Sequence, residues 1–302
     1  MGRYPPPART AVRLYHRVPV PRRRKAGGDV TEERSLRSPE NLARLAKLRL
    51  MDDDFMTRCF ESDPACVELV LRIVLDMPEL TVRSVRTQVP VSNLTERSLR
   101  MDVVAIDSAG RTINVEIQRS DRGAGRRRAR FHSSMLDSVL LQKSEDFQAL
   151  PETYVIFITE HDVLGRGEPL YKVERCILNT GELFDDGAHI LYVNGAFRDD
   201  SPLGWLMHDF SCTRAADMHY AVLAGQVRYF KETMEGSDTM CRVMEEKWEE
   251  GRKEGRKEGR REGRKSTARK LLAMSKLTLE EIAECASLTL EEVRQLAEEL
   301  PQ

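Results

Sequence analysis

Apolar and polar positions alternate most regularly between Leu99 and Gln118, LRMDVVAIDSAGRTINVEIQ. From Thr112 onward, Ile113, Val115 and Ile117 fall on one side and Thr112, Asn114, Glu116 and Gln118 on the other, the period of a half-buried strand. The preceding run, Met101 to Ile106, is apolar on both faces except at Asp102, and Asp107-Ser-Ala-Gly110 supplies turn residues, so the stretch predicts an antiparallel hairpin. An aspartate inside an otherwise buried strand needs a partner, because an unpaired charge there is costly.

The pattern on either side is that of a sheet with helices packed on it. Leu42, Leu45, Leu48 and Met51 have helical spacing, and Asp63-Pro64 opens a helix that carries Cys66, Leu69, Val70, Ile73 and Val74 and stops near Asp76 to Pro78. Residues 81–91 suit a strand, and the Gly-containing loop after Gln118 leads into a helix bearing Ala129, His132, Leu136, Val139 and Leu140. Thr153 to Thr159, TYVIFIT, reads as an inner strand, 171–178 and 189–193 as weaker strands, and 207–210 and 215–233 as helical. This order predicts an α/β (α+β) fold spanning residues 41–235.

Past Gly236 the text changes. The repeat Gly-Arg-Lys-Glu runs from Gly251 to Lys265, and since each glycine costs a helix ~1 kcal/mol relative to alanine, residues 236–265 are expected to form a frayed, solvated linker or helix. Leu277-Thr-Leu-Glu-Glu-Ile282 and Leu288-Thr-Leu-Glu-Glu-Val293 each contain a capping box, predicting two short helices behind a third over 267–275, a helix-turn-helix-like tail at 266–302. Its last helix sets Glu291, Glu292, Glu298 and Glu299 against Arg294 alone, which favours a homo-oligomer or partner contact through these helices over a DNA reader. At the other end, residues 1–40 combine prolines with Arg22-Arg-Arg-Lys25 and predict a basic arm without fixed structure.

Composition adds limits. With 40% hydrophobic residues over 302 positions the chain can build a sizeable core, while its formal charge of -1 conceals basic patches in the first 40 residues, at Arg126 to Arg130 and at Arg252 to Lys265. The six cysteines form no CxxC pair, which argues against a zinc site or a disulfide framework and for a reducing, cytoplasmic setting. No apolar run reaches the ~20 residues of a membrane helix, so no membrane partner is expected.

The candidate chemistry lies in the hairpin. Asp102 on one strand, with Glu116 and Gln118 two apart on the next, can converge at one end of the sheet, where two hard carboxylates suit Mg²⁺ and leave positions for water and a phosphate oxygen. For the bare spacing, an ordinary polar strand face is the commoner explanation. Arg126, Arg127, Arg128 and Arg130 crowd the start of the following helix, where the helix dipole favours anions, so a bound phosphate explains them better than helix stability does.

Asp102 with Glu116-Ile-Gln118 resembles the D…(D/E)-x-K signature of PD-(D/E)XK nucleases in a variant ending in glutamine. The wider text is similar to the branch of that family described as transposases and related to recombination-promoting nucleases. The matching blocks are MDDDFM at 51–56, INVEIQRSD at 113–121, RARFHSSMLD at 128–137, PETYVIFITEHDV at 151–163 and LMHDFSC at 206–212, followed by the EGRK repeats. The resemblance implies a restriction-endonuclease-like core with a central mixed sheet and metal-dependent cleavage of DNA, linked to recombination or mobile elements. It implies Asp102 and Glu116 as ligands of Mg²⁺, or Mn²⁺ in its place, Gln118 where lysine is usual, and Glu68 as a further acidic candidate on the first helix. A neutral amide orients water or a phosphate oxygen but brings no charge. The alternative is a nuclease-fold protein that kept DNA or partner binding without the chemistry.

Overall fold

A computed structural model describes residues 37–92, 98–141, 143–274 and 276–299. The basic arm therefore lies almost wholly outside the described residues. The first described helix, α1 (Pro39–Lys47), starts on Ser38, whose side chain accepts the Asn41 N–H, with proline at the tolerated first position. Two helices follow, α2 (Asp53–Ser62) and α3 (Pro64–Leu75), the latter capped by Asp63 and ended by Asp76 in the left-handed conformation.

Six strands form one mixed sheet: β1 (Val82–Ser92), β2 (Ser98–Asp107), β3 (Thr112–Gln118), β4 (Thr153–Thr159), β5 (Leu170–Val173) and β6 (Ala188–Asn194), in the order β1-β2-β3-β4-β6-β5. β1, β2 and β3 are antiparallel neighbours, β3, β4 and β6 run parallel, and β5 returns antiparallel on the β6 edge. The hairpin expected at 99–118 is β2–β3, with Val103 opposite Val115 and Ile106 opposite Thr112.

The parallel β3–β4 step is bridged by α4 (Arg126–Leu140), which lies on the sheet. Ala129, Met135 and Leu136 of α4 pack on Val155, Phe157 and Tyr192. The opposite face meets α2, α3, α5 (Pro202–Ser211) and α6 (Ala221–Glu232) through Val103, Ile113, Val115, Ile156 and Ile158. Both faces are thus covered. That is why β3 is buried on its polar side too, with Thr112, Asn114 and Glu116 at 2%, 0% and 0% exposure. The alternation of β3 predicted a half-buried strand; α4 closes over the polar side and makes it an inner one.

Of the two states expected for the EGRK repeat, linker or helix, the described residues show the helix. The repeat lies within α7 (Met234–Met274), a helix of 41 residues whose first turns pack Met240, Cys241 and Val243 into the main core. Both capping boxes form, at Thr278 with Glu281 and Thr289 with Glu292, and open α8 (Leu279–Ala286) and α9 (Leu290–Glu298). The third tail helix expected at 267–275 is the far end of α7. Ala268 there shares a small separate core with Ile282, Ala286, Val293 and Leu296. No helix among the described residues is long and apolar enough to cross a membrane.

Candidate metal centre

The β2–β3 ladder stops at Val103↔Val115, and beyond it two side chains replace the backbone pairing. Glu116 Oε1 accepts the Asp102 N–H at 3.1 Å, and Asp102 Oδ2 accepts the Ile117 N–H at 3.0 Å. Each carboxylate is fixed by the strand that carries the other. On the far side of β2, Gln88 takes a left-handed conformation (φ 51°) between the pairs Thr87↔Val103 and Val89↔Met101. Regular alternation breaks there: Met101 packs on the α4 side and Val103 on the other. The register is the same on both sides of Gln88, so the change is a local twist of the backbone opposite Asp102 rather than an inserted residue.

Gln88 points its amide at α2, donating to Asp53 Oδ1 at 3.2 Å and to Thr57 Oγ1 at 3.3 Å. This brings Asp53, from the Asp52-Asp-Asp54 start of α2, close enough to Asp102 for its charge to push the Asp102 pKa up. The turn before α2 is tied down by Arg119, the residue after β3, which pairs with Asp52 at 2.8 Å and Glu160 at 3.3 Å; Arg49 also reaches Glu160 at 2.9 Å.

Burial lifts the pKa of both central carboxyls. Asp102 is raised by desolvation and by Asp53, against the Ile117 N–H and the Arg128 charge; Glu116 is raised by desolvation and by Asp102. Asp53 is raised as well, by burial and by Asp54. Glu116 is fully buried, yet its Oε2 has no hydrogen-bond partner. Such an atom costs about 1–3 kcal/mol unless something meets it. A divalent cation between Asp102 and Glu116 fits this donor set of hard oxygens.

Behind Glu116 stands His132 of α4, also fully buried. Its Nδ1 lies 3.5 Å from Glu116 Oε1 and 3.3 Å from Asn114 Nδ2, and its Nε2 accepts from Arg128 Nε at 3.3 Å. Burial and the Arg128 charge push His132 down to about 4, so the ring is neutral at pH 7. With Nε2 accepting from Arg128, Nδ1 carries the ring proton, so its contact with the Asn114 amide nitrogen is not a hydrogen bond and its polar neighbour is Glu116 Oε1.

The structure sorts the residues singled out in the sequence. Asp102 and Glu116 meet. Gln118 continues the same side of β3 and lays its amide over Gly123, where an added Cβ would come within 1.8 Å of Gln118 Oε1. Arg128 reaches the centre through His132, while Arg126, Arg127 and Arg130 are exposed on the first turns of α4 and have no ion pair among the described residues. Glu68 is not brought to the centre. It holds the Val82 N–H at 2.9 Å and pairs with Arg72 at 2.7 Å, and Val82 lies opposite Asp107, five residues along β2 from Asp102, roughly 16 Å at strand rise. The acidic group that α2 and α3 contribute to the centre is Asp53. Its only signal in the sequence was the run of three aspartates at a helix start.

A second cluster, His208, Asp209 and His219, gathers metal-type ligand atoms within 4.8 Å. There Asp209 already uses one oxygen on the His219 N–H and the other on the Tyr220 N–H, both at 2.8 Å. It anchors the turn into α6.

Residues 74–195 match the family model described as PD-(D/E)XK nuclease family transposase. The match takes in all six strands, α4, Asp102, Glu116 and Gln118, and leaves α1, α2, Glu68 and the tail outside. With it, the six-stranded mixed sheet between helices is restriction-endonuclease-like, as the resemblance implied. No curated protein and no solved structure matches the chain.

Proposed function

We propose, with residues 74–195 as a nuclease-family domain for premise, that this chain is a metal-dependent endonuclease that hydrolyses DNA phosphodiester bonds at Asp102 and Glu116. The observation that carries the reading is the orphaned, buried Glu116 Oε2 beside Asp102, within a group of carboxyls whose pKa values burial raises. Asp102 and Glu116 would hold Mg²⁺ or Mn²⁺, with Asp53 adding negative charge from the third side. The cation, when bound, polarises a phosphoryl oxygen and lowers the pKa of water.

The chain's own groups do the rest. The Asp102 N–H, with neutral His132 beside it, occupies Glu116 Oε1 and so leaves Oε2 free to face the ion. Arg128, held against His132, sets a positive charge near both carboxylates that eases loss of their protons and faces a phosphate. Arg126, Arg127 and Arg130 line the start of α4 with exposed guanidinium groups suited to a DNA backbone. Gln118 orients a water or phosphate oxygen through its amide, without the charge a lysine would bring.

The test is nicking of supercoiled plasmid by the full chain in Mg²⁺ or Mn²⁺. Metal-dependent nicking that is lost in Asp102→Ala and in Glu116→Ala supports the enzyme. Duplex binding with no cutting in either metal supports the alternative, a nuclease-fold DNA-binding protein in which Gln118 marks lost chemistry.

A further inference from the structure

We infer that the basic groove between α7 and the α8–α9 turn holds the phosphate backbone of nucleic acid flanking the cleaved bond, a placement that rests on the proposed nuclease activity. Lys253, Arg256, Lys257, Arg260, Arg261 and Arg264 fall at positions i, i+3, i+4, i+7, i+8 and i+11, so they form one stripe along α7. The stripe walls a groove of ≈540 Å³ whose other side is Ser287, Leu288 and Glu292. Since a water's share of liquid volume is about 30 Å³, the groove has room for a hydrated phosphodiester.

A solvated helix face is the ordinary fate of such a stripe, and two features set this one apart. The first is its charge balance. The acidic tail helices neutralise little of it: Glu292 takes Arg261 at 3.2 Å, Glu299 takes Arg269 beyond the groove at 3.4 Å, and Lys253 leans on Glu249 at 4.0 Å. Arg256, Lys257, Arg260 and Arg264 have no ion pair among the described residues. Four unpaired cations on one concave wall repel one another and favour a polyanion.

The second is position. Lys247 of α7 pairs with Asp54 at 3.5 Å, next to Asp53 of the candidate centre. The stripe therefore begins about 9 Å further along the helix axis and ends at about 26 Å, from the 1.5 Å rise per residue. At 3.4 Å per base pair, a duplex engaged at the centre reaches the groove within roughly three to eight base pairs. The glutamates that make α9 a poor groove reader face a different task here. Glu292 holds Arg261, and the backbone contact falls to α7.

The experiment uses the full chain in EDTA, so that binding is read without cleavage, with a fluorescent 25-base-pair DNA duplex in one arm and an RNA duplex of equal length in the other. The variant Arg256→Gln/Lys257→Gln/Arg260→Gln replaces exposed side chains by a good helix former, and its helicity by circular dichroism should equal the wild type's. Expected is at least a tenfold loss of affinity near 100 mM salt. The slope of log K against log salt should become shallower by about 2.7, from 0.9 per phosphate contact removed. The arm that shows this loss identifies the polymer. Unchanged affinity and slope in both arms overturns the inference, as does a triple variant that binds normally but no longer self-associates in sedimentation. Binding in EDTA with no Mg²⁺-dependent cutting fails the nuclease reading alone.

Discussion

Glu116→Gln separates the electrostatics of the centre from its packing. The amide has the shape of the carboxylate, so its oxygen can keep the Asp102 N–H bond while its NH₂ group takes the place of the orphaned Oε2, next to Asp102. In the metal-free wild type the folded pKa of Glu116 lies above its unfolded value, so folding carries no penalty below about pH 4.3, loses stability as pH rises through the folded pKa, and bears the whole penalty above it. Each unit of that elevation costs about 1.4 kcal/mol at high pH. In EDTA the variant should therefore melt higher than wild type at pH 8, by roughly 2–4 °C per kcal/mol relieved, and the gap should shrink at pH 5. Added cation reverses the order. At 100 times its dissociation constant Mn²⁺ should stabilise the wild type by about 2.7 kcal/mol, roughly 5–11 °C, and the variant hardly at all. Thermal melts in EDTA and in Mn²⁺ at both pH values read all four states. A variant that melts lower than wild type in EDTA at pH 8, or that keeps the full Mn²⁺ shift, would show that Glu116 is neither strained by its buried charge nor a metal ligand.

Four further substitutions probe neighbouring parts. Asp53→Ala should reduce metal-dependent nicking at least tenfold while Glu68→Ala leaves the rate unchanged and only loosens the start of β1; the opposite ranking would restore the helix acid read from the sequence. Gly123→Ala drives a methyl group into Gln118 Oε1, the far end of a flexible side chain, so the protein should melt within about 1 kcal/mol of wild type while nicking falls. Equal nicking would show that the Gln118 amide has no role. Lys231 donates to the carbonyls of Ala46, Leu48 and Thr213, joining α1, the end of α5 and α6. Lys231→Met leaves those oxygens without their donor and should cost about 1–3 kcal/mol in urea unfolding.

Much of this architecture was legible because it rests on local rules. The turn at 107–110, the apolar run of β4, the Asp63-Pro64 helix start and the two capping boxes are decided by neighbours in sequence. What depended on distant packing was not. The polar side of β3 looked exposed until α4 covered it, and only then did Asn114, Glu116 and His132 become one buried group. The third acidic residue differs for a similar reason: the resemblance implied Glu68, whereas in the fold Gln88 of β1 holds Asp53 near Asp102. Glycine propensity argued for a frayed repeat, yet α7 is anchored in the main core at one end and in the tail's small core at the other, and it stays helical between them.

Whether Asp102 and Glu116 share a cation is decided by anomalous scattering from crystals of the full chain grown with Mn²⁺. A shared site gives a manganese peak between the Asp102 and Glu116 carboxylates, on the side of Glu116 Oε2, that is absent from Glu116→Gln crystals. A peak confined to His208, Asp209 and His219, or none at the hairpin, would contradict it.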